Sequence, residues 1–578
     1  MKIKKIFAIL LVLIMALNLF TYAYAKDNNI SLDEFNYAVC NITKNYFPDF
    51  PSSEYEFDIS EISTNRLIVK TYDNEPLENN CDAIEKIEGY DCLHVFQYTN
   101  ATNTAAAYEY FSKLEIVEYV DYDFYFEINS NSETLPSSAN LWGYNTVNRD
   151  EALELMETIV EKPKEIVVAV IDSGLDYTHK DITNRAISSS YNFYDNNSDM
   201  SDEITHGTLV SGVILFNTPD FVKIKPYKVF GDSIQTSYII VCNALQKAVD
   251  ENVDVINMSL YGECVNKRHG LYDEKITNAN QKGIPVIVAA GNNKSDADMV
   301  CPANHINAIT VSAINSNYCA WDNSIKGSNY GDCIDIGAPG SRVYTTYPGN
   351  IWDYSAGTSM AAPFVSAAAA MIKSVNPDTT PTEIEELIKS TAFVPENWDT
   401  NYGVGIVNFM NILEKMRSEQ PTIKLTGDGN MSITSSATNT EIYYTLDGTD
   451  PVYGESTLYT EPFNVWNTDT VKTIAFTDGM LPSEIRIFNM ITQKDIELEY
   501  KDNTVLMIAP DIKHAYSTDK DIVTVDVEGN VCAVSPGEAQ LIIRLNNGKK
   551  YIYNVTVEIP RWRIISLIFY KLFNILLY

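Results

Sequence analysis

Ile166-Val167-Val168-Ala169-Val170-Ile171 runs straight into Asp172-Ser173-Gly174: an unbroken apolar stretch that ends on a carboxylate, a hydroxyl and a glycine. A strand with one wet face alternates apolar and polar residues. This one does not, so it reads as a strand of a parallel sheet covered on both faces. Similar runs recur at Val253 to Met258, Pro285 to Ala290 and Ile309 to Val311, interspersed with helical stretches such as Ile239 to Asp250 and Pro381 to Ser390. The pattern predicts an α/β domain over residues 136–418, a parallel sheet with helices on both faces. Ligands of such sheets bind beyond the carboxyl ends of the strands, which is where Asp172 stands.

The rest of the chain frames this domain. At 578 residues it is too long for one core. Its net charge of −35 excludes a phosphate-backbone ligand, which needs clustered lysine and arginine, so no nucleic-acid partner is expected. Lys2, Lys4 and Lys5 precede an apolar run from Ile6 to Phe20 and then Ala23-Tyr24-Ala25, which predicts a signal peptide over residues 1–25. The nine cysteines form no CxxC pair and no metal-ligand spacing, so no zinc is expected and the disulfide pairing stays open.

Residues 26–135 carry a strand-like run, Arg66 to Lys70, a helical stretch from Ala105 to Leu114 and a second apolar alternation from Ile116 to Val120. A polar stretch, Asn129 to Asn140, follows as a linker, so this small α+β unit has the layout of a cleavable pro-segment. Beyond Pro421 the helical signals stop. Short strands with Asp447-Gly448, Asp478-Gly479 and Pro536-Gly537 turns predict two all-β sandwich modules, 419–491 and 492–559. The apolar tail, 560–578, suits either weak contact with a membrane surface or docking onto the sandwiches.

Two further frames carry chemistry. His206-Gly207-Thr208-Leu209-Val210-Ser211-Gly212 puts an imidazole at the start of a helix, and Ser355-Ala356-Gly357-Thr358-Ser359-Met360-Ala361-Ala362-Pro363 puts a serine at the start of another. A serine hydroxyl becomes a nucleophile when a base accepts its proton, and histidine has the right pKa near neutrality. A buried carboxylate then fixes the imidazole's tautomer and orientation. Singly, Asp172 and Ser359 read as helix caps and His206 as a core histidine. Together and in this order they read as a catalytic set.

These frames resemble the subtilisin-like serine proteases. The resemblance implies that Asp172 orients, His206 is general base then acid, and Ser359 is the nucleophile. Val286-Ile287-Val288-Ala289-Ala290-Gly291-Asn292-Asn293 resembles the family's strand ending in the oxyanion asparagine, which implies that role for Asn292. Ile256-Asn257-Met258-Ser259-Leu260 resembles an edge strand that pairs with substrate backbone. Ser259, Leu260, Tyr261, Gly262, Ala290 and Gly291 would then bind substrate, with Tyr261 standing where a small residue is common. Pro302-Ala303, Gly337-Ala338-Pro339-Gly340 and Tyr402-Gly403-Val404-Gly405 match further landmarks.

Where many relatives carry a calcium-binding loop, Phe216-Asn217-Thr218-Pro219-Asp220 is short, so no calcium site is assignable, and calcium elsewhere stays open. By the same resemblance 26–135 is a propeptide, cut between Phe126 and Ala139. Residues 442–479 resemble a chitobiase-type C-terminal β-sandwich, and 523–537 a bacterial immunoglobulin-like domain of group two. The expectation is a secreted or surface-associated bacterial serine endopeptidase acting on protein or peptide substrates. Its own propeptide would be a partner, and the β modules would face a cell-wall or surface ligand. A surface adhesion protein whose protease domain serves its own maturation is the alternative.

Overall fold

A computed structural model describes residues 65–72, 85–88, 92–99, 101–123, 125–128, 141–159, 165–263, 270–323, 325–426, 429–465, 468–505 and 512–560, with a few isolated positions. The expected signal peptide, the polar stretch 129–140 and all of the apolar tail but Pro560, Ile565 and Ile568 lie outside them.

Seven parallel strands form the central sheet, in the order Ile336–Pro339, Ala308–Ile314, Val286–Ala289, Val255–Met258, Ile166–Asp172, Val222–Lys228 and Tyr191–Asn192. The strand Ile166–Asp172 shows why its sequence does not alternate. Val168 and Val170 enter one core with the helices His206–Phe216 and Thr358–Val375, while Ala169 and Ile171 enter another with the helix Tyr238–Asp250. Both faces are buried, so both sets of side chains are apolar. The α/β sheet with helices on both faces expected from the sequence is the architecture found, followed by all-β sheets.

Every residue from Thr358 to Ser374 is buried, and the run Ser366 to Ala370 consists of small residues that let the helix lie close to the sheet. Gly207 makes a second close approach. A Cβ there would come within 2.2 Å of the Gly174 carbonyl, so only glycine lets the histidine helix pack on the Asp172-Ser173-Gly174 turn.

Ahead of this domain, Glu85–Glu88, Leu93–Gln97, Arg66–Thr71 and Val117–Tyr122 form an antiparallel sheet in that order. One face packs on the helix Ala101–Phe111 through Leu67, Val69, Phe96 and Phe111, whose rings stack at 4.8 Å. Ile68 and Val95 on the other face share a core with Tyr238, Val241 and Cys242. After the sheet, Tyr125–Glu127 pairs antiparallel with Gln235–Ser237 of the α/β domain.

At the other end of the chain, two sheets enclose a core of Met431, Ile433, Val465, Val471 and Ala475. Two more enclose Val523, Val531, Leu541, Ile543 and Val555. Ile491–Glu499 pairs parallel with the final strand, Lys550–Glu558, so the second module begins beside its own end.

Candidate active site

The strand Ile166–Asp172 ends by delivering Asp172 to the rim of the sheet, and the helix His206–Phe216 begins with the histidine itself. Both side chains are buried. His206 Nδ1 lies 2.8 Å and 3.0 Å from the two Asp172 oxygens, and the Ser173 N–H donates to Asp172 at 2.7 Å. The carboxylate therefore holds the ring with Nδ1 protonated and Nε2 facing away. Nε2 is buried and has no hydrogen-bond partner in the protein. It is a base with nothing yet to accept.

Ser359 is the second residue of the helix Thr358–Val375, whose start depends on Gly357 at φ 136°, a backbone position that favours glycine. Its N–H is among the first four that a helix cannot satisfy internally. Four residues on, Pro363 has no N–H to give the Ser359 carbonyl. Ser259 Oγ supplies the missing bond, donating to that carbonyl at 3.0 Å, and itself accepts from Asn257 Nδ2 at 3.0 Å. Ser359 Oγ in turn donates to the Ser259 carbonyl at 3.2 Å.

Asn292 closes the constellation. Its Oδ1 accepts from the Thr358 N–H at 2.8 Å and from Thr358 Oγ1 at 2.9 Å. Its Nδ2 is buried and unpartnered. A Cβ on Gly357 would lie 3.3 Å from that nitrogen, so the free amide sits directly over the turn that leads into Ser359. A buried N–H₂ with no acceptor is unusual and points to an acceptor supplied from outside.

The model of the subtilase family matches residues 163–405, a span that contains Asp172, His206, Asn292 and Ser359. An alkaline protease of Alkalihalobacillus alcalophilus is 30% identical over 336 residues, covering 56% of this chain and 82% of that protein. The chain belongs to the subtilase family. It is a subtilisin-like serine protease. A thermophilic serine proteinase of Bacillus sp. (strain AK1) is 29% identical over 326 residues, 55% of this chain and 77% of that one. A solved protease structure from Pseudoalteromonas arctica is 26% identical, with a TM-score of 0.42 over 47% of this chain and 96% of that one. Outside the protease domain, residues 431–489 match a model described as Fn3 associated, within the first β module.

The structure brings the other expected site residues of this subtilase to two facing segments. Ser259, Leu260, Tyr261 and Gly262 follow the strand Val255–Met258, while Ala290 and Gly291 follow Val286–Ala289. One expectation is corrected. Val255–Met258 is no edge strand, because Ile166–Asp172 and Val286–Ala289 hydrogen-bond to its two sides. An edge does exist at Gln235–Ser237, with Tyr125–Glu127 laid along it and against Gly262–Glu263.

Several residues that hold the site were missed in the sequence. Asp202, half-buried, accepts from the Thr205 and Thr208 N–H groups at 2.9 and 2.8 Å and from Ser173 Oγ at 2.7 Å. It thereby caps the histidine helix and ties it to the Asp172 turn. Burial raises its pKa, with the bonds from Thr208 and Ser173 pulling the other way. Lys228 is fully buried, donates to the Ser173 and Ser201 carbonyls at 2.7 Å each, and pairs with Glu203 at 2.6 Å. Asn329 braces the oxyanion segment, giving its Nδ2 to the Ala290 carbonyl at 2.8 Å and taking the Asn293 N–H at 2.9 Å. The signals available were faint: an acid four residues before His206, the last of three lysines in one strand, and an asparagine two residues before Gly331.

The short loop after the histidine helix does not fit calcium. Arg185 donates to the carbonyls of Leu215, Pro219 and Val222 at 2.6, 2.6 and 3.1 Å, and to Thr218 Oγ1 at 2.8 Å. These are the oxygens a cation would need, and a guanidinium holds them already. Among the described residues no group of three or more His, Cys, Asp or Glu side chains is placed to hold a metal.

Proposed function

We propose that this subtilase is a secreted endopeptidase that works through Asp172, His206 and Ser359, with Asn292 as oxyanion donor, and that matures by cutting itself. The observation that carries the reading is the set of unspent groups around Ser359. His206 Nε2 and Asn292 Nδ2 are both buried and unpartnered, and the far side of the ring is fixed by Asp172 at 2.8 Å.

In this mechanism His206 Nε2 takes the Ser359 Oγ proton as Oγ attacks the substrate carbonyl. The carbonyl oxygen gains negative charge and meets Asn292 Nδ2 and the Ser359 N–H. His206 then gives its proton to the departing amine, leaving an ester on Ser359. Water attacks that ester with His206 again as base. Asp172 stays ionised throughout and stabilises the imidazolium.

The processing part rests on the groove. Tyr125–Glu127 lies on the Gln235–Ser237 edge as a substrate backbone would, and the Ile128 N–H donates to the Ile234 carbonyl at 3.2 Å. The expected cleavage region, Phe126 to Ala139, begins in this docked segment. The unit 26–135 then stays on as an inhibitor. The β modules, with their likeness to chitobiase-type and immunoglobulin-like sandwiches, are spacers that hold the protease near the cell surface.

A fluorophosphonate should label processed protein at Ser359, and Ser359→Ala should neither label nor hydrolyse a protein substrate. Unlabelled but correctly processed protein would sink the enzyme assignment. The same variant should remain a full-length precursor in pure form; maturation of the pure variant would refute self-cutting.

A further inference from the structure

We infer that Tyr261 closes the primary side-chain pocket and restricts this subtilase to bonds that follow small residues. The inference rests on the protease reading above and names the substrate class of that site.

The position of the pocket follows from the reacting groups. Ser359 Oγ touches the Ser259 carbonyl at 3.2 Å, and the oxyanion donor is on Asn292. The carbonyl carbon under attack therefore lies between the segment Ser259 to Gly262 and the segment Ala290 to Asn292. The side chain next to that carbon must enter the gap between them. These segments continue adjacent parallel strands in which Met258 pairs with Val288, and the same register carried three residues on sets Tyr261 opposite Gly291.

At that level one wall has no side chain and the other has the largest it could carry short of tryptophan. Gly291 holds φ 98°, and the place a Cβ would take there lies 2.4 Å from Asn329 Nδ2 and 3.6 Å from Tyr261 Cδ2, so the ring reaches to the space beside the opposite wall. Tyr261 is 5% exposed and packs in the same core as Met258, Leu260, Cys301 and Ala303. Parallel strands stand only about 4.8 Å apart before they splay. A tyrosine ring across that gap leaves space for a hydrogen, a methyl or a short polar group, and none for a phenyl or isobutyl group.

The test is a cleavage profile of processed, full-length protein on a peptide library varied at the residue before the scissile bond. The wild type should cut after Gly, Ala, Ser or Asn at least about tenfold better in kcat/KM than after Phe, Leu or Tyr, and Tyr261→Gly should raise cleavage after the large residues by about tenfold or more. Wild type that cuts after Phe or Leu as well as after Ala overturns the inference, and this needs no variant to fold. A folded, labelled Tyr261→Gly with an unchanged profile also overturns it and leaves Tyr261 as mere cover for Gly291. Failure of the protease reading looks different: no cleavage of any peptide and no fluorophosphonate label at Ser359.

Discussion

Asn292 is held entirely by its oxygen. Two bonds from Thr358 fix Oδ1, so Nδ2 keeps its direction without any bond of its own. Leaving a buried donor unpaired costs about 1–3 kcal/mol, a cost that an oxyanion removes only when it forms. That makes the contact selective for the transition state. Asn292→Ala should therefore lower kcat with little change in KM. The expected loss is about 10²–10³-fold, a magnitude known for this donor in a subtilisin rather than derived from this geometry. Steady-state kinetics on a short peptide checks it. A rise in KM with kcat intact would mean that Asn292 binds the ground state and is no oxyanion donor.

At the scale of elements, what was legible in the sequence was local. Asp172, His206 and Ser359 each lie within a residue or two of a strand end or helix start, and short-range pattern locates such points. The role of Val255–Met258 was not legible, since a strand flanked on both sides and an apolar edge strand look alike until their neighbours are known. Gln235–Ser237 was invisible because it is short and polar and is a strand only through its partner. Arg185 was missed for a similar reason, its acceptors lying 30 residues or more along the chain. Burial pulls its pKa down to about 10, with Asp220 acting against the shift, so it stays charged at neutral pH. Arg185→Met would leave three carbonyls and a hydroxyl without their donor, a loss of about 2–4 kcal/mol. In a domain of this size Tm should fall by roughly 3–7 °C. Added calcium should not restore it, and a chelator should leave the wild-type loop unaffected. Calorimetry decides: calcium-dependent recovery of Arg185→Met would show that the loop binds the cation after all.

At the scale of the whole molecule, the antiparallel unit and the protease domain meet across a face rich in acids. Lys70 bridges Glu118 and Glu274, and Arg66 pairs with Asp123 at 3.2 Å. Asp123 also accepts the Ile239 N–H at 3.2 Å. Among the described residues no cation pairs with Asp121. Burial pushes its pKa up to about 7, and Asp273 on the protease helix and Asp123 add to the shift. Asp123 moves the same way, again through burial, with Arg66 opposing. Glu274 moves the other way: burial raises it, but Lys70 and Lys275 outweigh this and hold it below its ordinary value. The signs then separate by pH. A carboxyl raised in the docked state contributes to docking when protonated, and that contribution is lost as pH rises through about 7. The Glu274 contribution is present above the ordinary carboxylate range and is lost only in stronger acid. Between pH 5 and 8 Asp121 gains its charge on this face, so the segment, once cut as proposed, should hold more tightly at pH 5. Gel filtration of the processed complex at the two pH values should show the 26–135 segment retained at pH 5 and released at pH 8, with about a tenfold difference in apparent affinity or more. Asp121→Asn, which cannot ionise, should keep the segment bound at pH 8. Equal retention at both values, or release of Asp121→Asn at pH 8 like the wild type, would mean that Asp121 does not govern how tightly the 26–135 segment is held.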